Sequence, residues 1–95
     1  HLAFSPALLE STWRDVKAVM GHDSALDAKT KEMLYVAVST ANACGYCVHS
    51  HTKAAKAQGM TEAEHAELMT VISLAARTNH LLTGLQVPVD DELQA

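Results

Sequence analysis

Two prolines and four glycines are all the backbone punctuation in this 95-residue chain. No stretch alternates Val, Ile, Thr or aromatics with polar residues for more than a few positions, as a half-buried strand would need. Apolar residues recur instead at spacings of three and four, the signature of helices with one face inward. The chain is therefore expected to be all-α, a compact bundle of four to five helices over residues 1–95 as one domain. At 95 residues it is too short for two independent cores.

Local signals divide the bundle. Ser5 followed by Pro6 starts a first helix, because proline is tolerated at the first helical position and serine can cap free N–H groups. Leu8, Leu9, Trp13, Val16, Val19 and Met20 then recur at helical spacing up to Gly21. A second helix should run from about Asp27 to Ala43. Its centre, Met33 to Val38, is apolar on nearly all sides and reads as the buried central helix. The third is expected over Cys44–Gln58, ending at Gly59. Thr61 with Glu64 three residues on is a capping box that opens a fourth. That helix carries Leu68, Met69, Val71, Ile72, Leu74, Leu81 and Leu82, more apolar girth than so small a monomer needs to bury. Part of it is expected to be a subunit interface. From Pro88 onward, with Asp90, Asp91 and Glu92, the chain reads as a tail.

Net charge is −4, with Lys and Arg scattered, which argues against nucleic acid or an anionic membrane as partner. No apolar run approaches the roughly 20 residues that span a bilayer, and the first residues lack the pattern of a secretory signal. Only two cysteines are present, Cys44 and Cys47, in the stretch NACGYCVHSHT. In a reducing compartment, the cytoplasm being the expected one, a lone C-x-x-C is more often redox-active or metal-binding than a structural staple. Its loop is too small to constrain the unfolded chain much.

On a helix Cys44, Cys47 and His51 fall within about 60° of one another, each a turn above the last. His49 points about 140° from Cys44, toward Tyr46, Lys53 and Lys56 on the expected solvent face. That weakens a zinc site of Cys44, Cys47, His49 and His51, and no metal or organic cofactor is expected. Cys44 sits at a helix start, where free N–H groups and the dipole lower a thiol's pKa. His51 follows Cys47 by four residues, and imidazole moves protons readily at neutral pH. A carboxylate is needed to hold that ring in one tautomer. Glu32 lies in an apolar helix centre, where it would be costly without a partner. If the chain reverses near Ala43–Gly45, residue 51 comes opposite about residue 35, one turn from Glu32. Tyr35 and Ser39 share Glu32's face, with packing their simpler role. His22, His65 and His80 fit no pattern, and Lys29 or Lys31 are alternative partners for Glu32.

Glu32, eleven residues, Cys44-Gly-Tyr-Cys47, three residues and His51 together form E-x11-C-x2-C-x3-H. This pattern and the surrounding LDAKTKEMLYVAVSTANACGYCVHSHTKAAKAQGMTEAEHAEL resemble the alkyl hydroperoxidase D-like branch of the carboxymuconolactone decarboxylase superfamily, over roughly half the chain. The resemblance implies an all-helical fold, homo-oligomers (often trimers or hexamers) and peroxide reduction through the cysteine pair. Where the best-known peroxidases of that branch carry histidine, this chain has Tyr46.

The leading expectation is a thiol peroxidase acting on alkyl hydroperoxides. Cys47 is the peroxide-reactive thiol, served by His51 and Glu32; Cys44 resolves it to a Cys44–Cys47 disulfide that an external dithiol protein reduces. The reverse assignment of the two cysteines is the alternative. Two other readings stand beside it: a disulfide reductase or redox adaptor that never meets peroxide, and a non-redox, decarboxylase-like member of the superfamily.

Overall fold

The structure is a computed structural model and describes residues 5–94. Among these residues there are four α-helices and no strand: α1 (Pro6–Val19), α2 (Ala28–Ala41), α3 (Gly45–Ala57) and α4 (Glu62–Gly84), with a short 3₁₀ turn over Asp91–Leu93. Helices α1, α2 and α4 begin where side-chain chemistry satisfies their first N–H groups. Ser5 Oγ accepts from Leu8 N–H at 3.2 Å with Pro6 behind it. Asp27 accepts from Thr30 N–H at 2.7 Å, and Asp23 accepts from Ala28 N–H at 2.7 Å. At α4 the capping box closes in both directions: Thr61 Oγ1 accepts from Glu64 N–H at 3.0 Å, and Glu64 Oε1 accepts from Thr61 N–H at 2.8 Å.

The centre of the fold is the hairpin of α2 and α3. Residues 42–44 join them, a longer link than the sequence suggested, because α2 stops at Ala41 rather than Ala43 and α3 starts at Gly45 rather than Cys44. The reversal is made by Ala43, whose φ of 57° lies in the left-handed region. An L-residue there costs roughly 1–2 kcal/mol. Cys44 N–H donates to the Ser39 carbonyl at 2.9 Å and closes the turn. The buried stripe of α2 is Ala28, Glu32, Val36 and Ser39, one face at helical spacing, with Ala55 of α3 and Met60 completing the core.

Two expectations need correcting. Helix α2 is central, since it packs on both α3 and α4, but it is not buried on all sides. Leu34 is 51% and Val38 59% exposed, because only α3 and α4 lie against its backbone. The bundle is also not compact. Its radius of gyration is 16.6 Å, against about 12 Å for a compact domain of this length. Helix α1 stands off the hairpin and leaves an apolar groove of about 570 Å³ lined by Val16, Met20, Leu26, Leu34 and Val38.

Ionic contacts lace the helices together. Lys31 Nζ donates to the carbonyls of Val19 and His22 at 2.8 and 3.0 Å, a cation on the negative end of α1. Lys29 meets Glu64 at 2.9 Å, tying α2 to the start of α4. This pair holds the Lys29 amine above and the Glu64 carboxyl below their usual ranges, each chiefly through the hydrogen bond to the other. Both lysines are thus engaged away from Glu32.

Candidate active site

Glu32 and His51 are nineteen residues apart in sequence, yet His51 Nδ1 lies 2.6 Å from Glu32 Oε1. The hairpin explains this: folding α3 back along α2 brings position 51 opposite position 35, one turn from Glu32. An ionised carboxylate can only accept a hydrogen bond. The proton is therefore assigned to Nδ1, and Nε2 is the ring nitrogen left for proton exchange. Glu32's side chain is 7% exposed and His51's 18%, so this charge-assisted contact is shielded from water. Tyr35, one turn past Glu32 on α2, stacks on the imidazole with centroids 3.7 Å apart and planes 18° from parallel.

Cys44 and Cys47 are both half-buried free thiols at the first turn of α3, with Cys44 as its N-cap residue. Their protons are shared unequally. Cys44 is held below the usual thiol range, first because the Cys47 thiol donates to its sulfur, then because the backbone N–H groups of Cys47 and Tyr46 point at it. Its side chain makes no cap hydrogen bond of ordinary length, so the N–H groups act on the sulfur mainly as aligned dipoles at a helix start. Cys47 is raised, chiefly by that same hydrogen bond to Cys44 and next by burial; the hydroxyl of buried Ser39 works the other way. Cys44 is therefore the more acidic thiol of the pair, and Cys47 is the one that holds its proton more tightly. No hydrogen bond directly joins Cys47 to His51 among the described residues, although helical spacing puts them on one face, a turn apart.

This asymmetry has a measurable consequence. Iodoacetamide should modify Cys44 first, at pH values where an ordinary cysteine is still protonated. The Cys44 rate should fall as pH drops through its depressed pKa, whereas Cys47 should react only as pH rises past the ordinary thiol range. Peptide mass spectrometry across a pH series measures both, and earlier modification of Cys47 would contradict the assignment.

The remaining candidates lie elsewhere. His49 is exposed on the other side of α3, lining a shallow groove with Lys53, Lys56 and His65. Among the described residues no group of three or more His, Cys, Asp or Glu side chains is placed to hold a metal ion. No helix there is long and apolar enough to cross a membrane. Sequence reasoning missed the cleft of about 410 Å³ onto which Glu32 and His51 open. Trp13, Val16 and Lys17 of α1, with Met20 just past its end, form one wall of it, with Tyr46 at its edge. Tyr46, 84% exposed, was expected on the side of His49. Helical angle alone did not anticipate its place, because a long side chain at the first turn can lean to either side.

Comparison with known proteins places these features in context. The sequence matches the description of the Carboxymuconolactone decarboxylase family over residues 6–90. It is 57% identical to the crystal structure of an alkylhydroperoxidase AhpD core from Rhodospirillum rubrum, with a TM-score of 0.91 over 99% of this chain and 69% of that one. It is also 31% identical over 70 residues, 74% of its length, to uncharacterized protein 4 in the cox locus of Paracoccus denitrificans. The match spans 60% of that relative's own length.

Proposed function

Because the chain belongs to the carboxymuconolactone decarboxylase family, in its alkyl hydroperoxidase D-like branch, we propose that it is a thiol peroxidase that reduces organic hydroperoxides. The observation that carries this reading is the conjunction at one end of a single hairpin: two free thiols within one helical turn, beside a Glu32–His51 pair at 2.6 Å. A decarboxylation would use no dithiol, so the C-x-x-C weighs against a non-redox role.

In the proposed cycle His51, oriented by Glu32, takes the Cys47 proton through one bridging solvent molecule. The Cys47 thiolate attacks the terminal oxygen of the hydroperoxide. An S–O bond forms, the O–O bond breaks, and the imidazolium returns its proton to the leaving alkoxide, giving an alcohol and Cys47 sulfenic acid. The Cys44 thiolate then attacks the Cys47 sulfur. An S–S bond forms, and hydroxide leaves as water after taking a proton from solvent. The two electrons come from the dithiol. An external dithiol, as on a redox protein, restores both thiols by exchange. Cys44's depressed pKa suits both its attack and its role as leaving group in that exchange.

Free-thiol titration before and after one equivalent of cumene hydroperoxide tests the reading. Loss of both thiols with formation of one equivalent of cumyl alcohol, reversed by a dithiol, is the expected result. Thiols unchanged by peroxide but oxidised by a disulfide substrate would make the chain a disulfide reductase instead. No reaction with either would reject redox function.

The acting unit is proposed to be a homo-oligomer, trimeric or hexameric, of this single domain. The isolated chain exposes 7432 Å², where a compact monomer of its mass would expose about 5,300 Å². Val71, Leu74, Leu81 and Leu82 of α4 are all roughly half-exposed or more, as are Leu34 and Val38 of α2. Assembly would cover such faces. Sedimentation at micromolar concentration should give a mass several times the 10.2 kDa of one chain. A species of single-chain mass would count against assembly.

A further inference from the structure

Resting on the peroxidase reading, we infer that Tyr35 is a positioning residue for His51: its ring sets the plane of the imidazole that Glu32 anchors at one edge. Glu32 and Tyr35 lie three residues apart on α2 and so present adjacent side chains on one face. Both reach the same ring of α3, from different directions. Glu32 Oε1 holds Nδ1 at 2.6 Å, while Tyr35 covers the flat face with a 3.7 Å centroid separation.

The two contacts do different things. The second side-chain torsion of histidine joins an sp³ to an sp² centre and has a broad, soft profile. One hydrogen bond at Nδ1 leaves the ring free to swing about the Nδ1···Oε1 line, carrying Nε2 through an arc. A parallel aromatic face removes that swing, because rotation would drive the imidazole edge into the phenol ring. Nε2 is then held in one direction. The other charged or titratable groups near His51 are Glu32 on α2, Cys47 on α3, and Tyr46 of α3 and Lys17 of α1, which line the same cleft.

The contribution belongs to the ring rather than the hydroxyl. Among the described residues the Tyr35 hydroxyl makes no hydrogen bond, and Tyr35 is only half-buried, lining the α1–α2 groove rather than His51's cleft. Phenylalanine should replace Tyr35, and an aliphatic side chain of similar bulk should not.

The test compares wild type, Tyr35→Phe and Tyr35→Leu, with Tyr35→Met as a second aliphatic variant should leucine fold poorly. Proton NMR of the His51 ring gives the first readout. Its carbon-bound protons should be shifted upfield by the stacked ring in wild type and Tyr35→Phe, and should return toward free-imidazole values in the aliphatic variants. The second readout is the rate of disulfide formation with cumene hydroperoxide. The aliphatic variants should be roughly 10–100-fold slower, the scale of an ångström-sized misplacement of a reacting group, and Tyr35→Phe should match wild type. The third is alkylation of Cys47 by iodoacetamide against pH in a Cys44→Ser background. Its midpoint should move to higher pH in the aliphatic variants, as a displaced imidazole supports the thiolate less, and phenylalanine should restore it. Unshifted ring protons in wild type, an aliphatic variant as fast as wild type, or a phenylalanine variant as impaired as leucine would each overturn the inference. If wild type reduces no hydroperoxide, the peroxidase reading fails by itself. The NMR and alkylation readouts then decide Tyr35's role alone.

Discussion

Replacing Cys47 by serine is expected to abolish hydroperoxide consumption, whereas replacing Cys44 should leave a single turnover that stops at a sulfenic acid. The difference follows from the places of the two sulfurs. Cys47 carries the proton at rest, its pKa raised by the hydrogen bond to Cys44 and by burial, so it needs a base before it can attack. His51, one turn along the same face of α3, is the base in reach. Cys44 is already the more acidic thiol without help from the imidazole, since the Cys47 thiol and the first N–H groups of α3 stabilise its charge. That suits a resolving nucleophile. Mass spectrometry with a dimedone-type trap reads the outcome directly. A sulfenate trapped on Cys44 in the Cys47→Ser protein would reverse the two roles, with the acidic N-cap thiolate as the attacking group. Absence of sulfenate from both variants, with peroxide unconsumed, would remove the peroxidase reading altogether.

The second large effect concerns the proton relay. Glu32→Gln keeps the shape of the side chain, and its amide oxygen can still accept from Nδ1–H, but the charge that stabilises an imidazolium is gone. Peroxide reduction should slow by one to several orders of magnitude, since positioned acid–base groups contribute roughly 10²–10⁴-fold. His51→Ala should cost at least as much, and the double variant little more than either alone, because members of one relay are not additive. Thermal stability should barely change for Glu32→Gln, or rise slightly, because a neutral amide in this 7%-exposed position carries a smaller desolvation cost than a carboxylate. Stopped-flow thiol oxidation and a melting curve on the same samples separate the two readouts. Variants with full activity and a lowered melting temperature would make the pair a packing device, with the thiolate activated by the helix terminus alone.

Much of this protein was legible in its sequence wherever the determinant is local. The starts of α1 and α4 are written in Ser5–Pro6 and in the Thr61–Glu64 box, because a cap works through atoms within one turn of the chain. The stops near Gly21 and Gly59 follow from residues with φ of 86° and 102°, which glycine adopts without strain. The Glu32–His51 contact was readable from spacing, since the only long-range assumption it needs is a reversal between α2 and α3.

What lay beyond the sequence is whatever depends on which surfaces meet. The reversal falls on Ala43 at φ 57°, although glycine stands two residues later, because the Ser39–Cys44 hydrogen bond and the α2–α3 packing outweigh a local preference. Burial of Val36 with exposure of Leu34 and Val38 could not be told from hydrophobicity, which is alike for all three. It was decided by where α3 and α4 lie against α2. The proton shared between the cysteines depends on directed contacts from a neighbouring thiol, two N–H groups and Ser39, and the Tyr35–His51 stack on the relative tilt of two helices. Spacing along a chain specifies which side chains share a helical face. The distance and angle between faces come only from packing, and here it is packing that puts a carboxylate and an aromatic ring on the same imidazole.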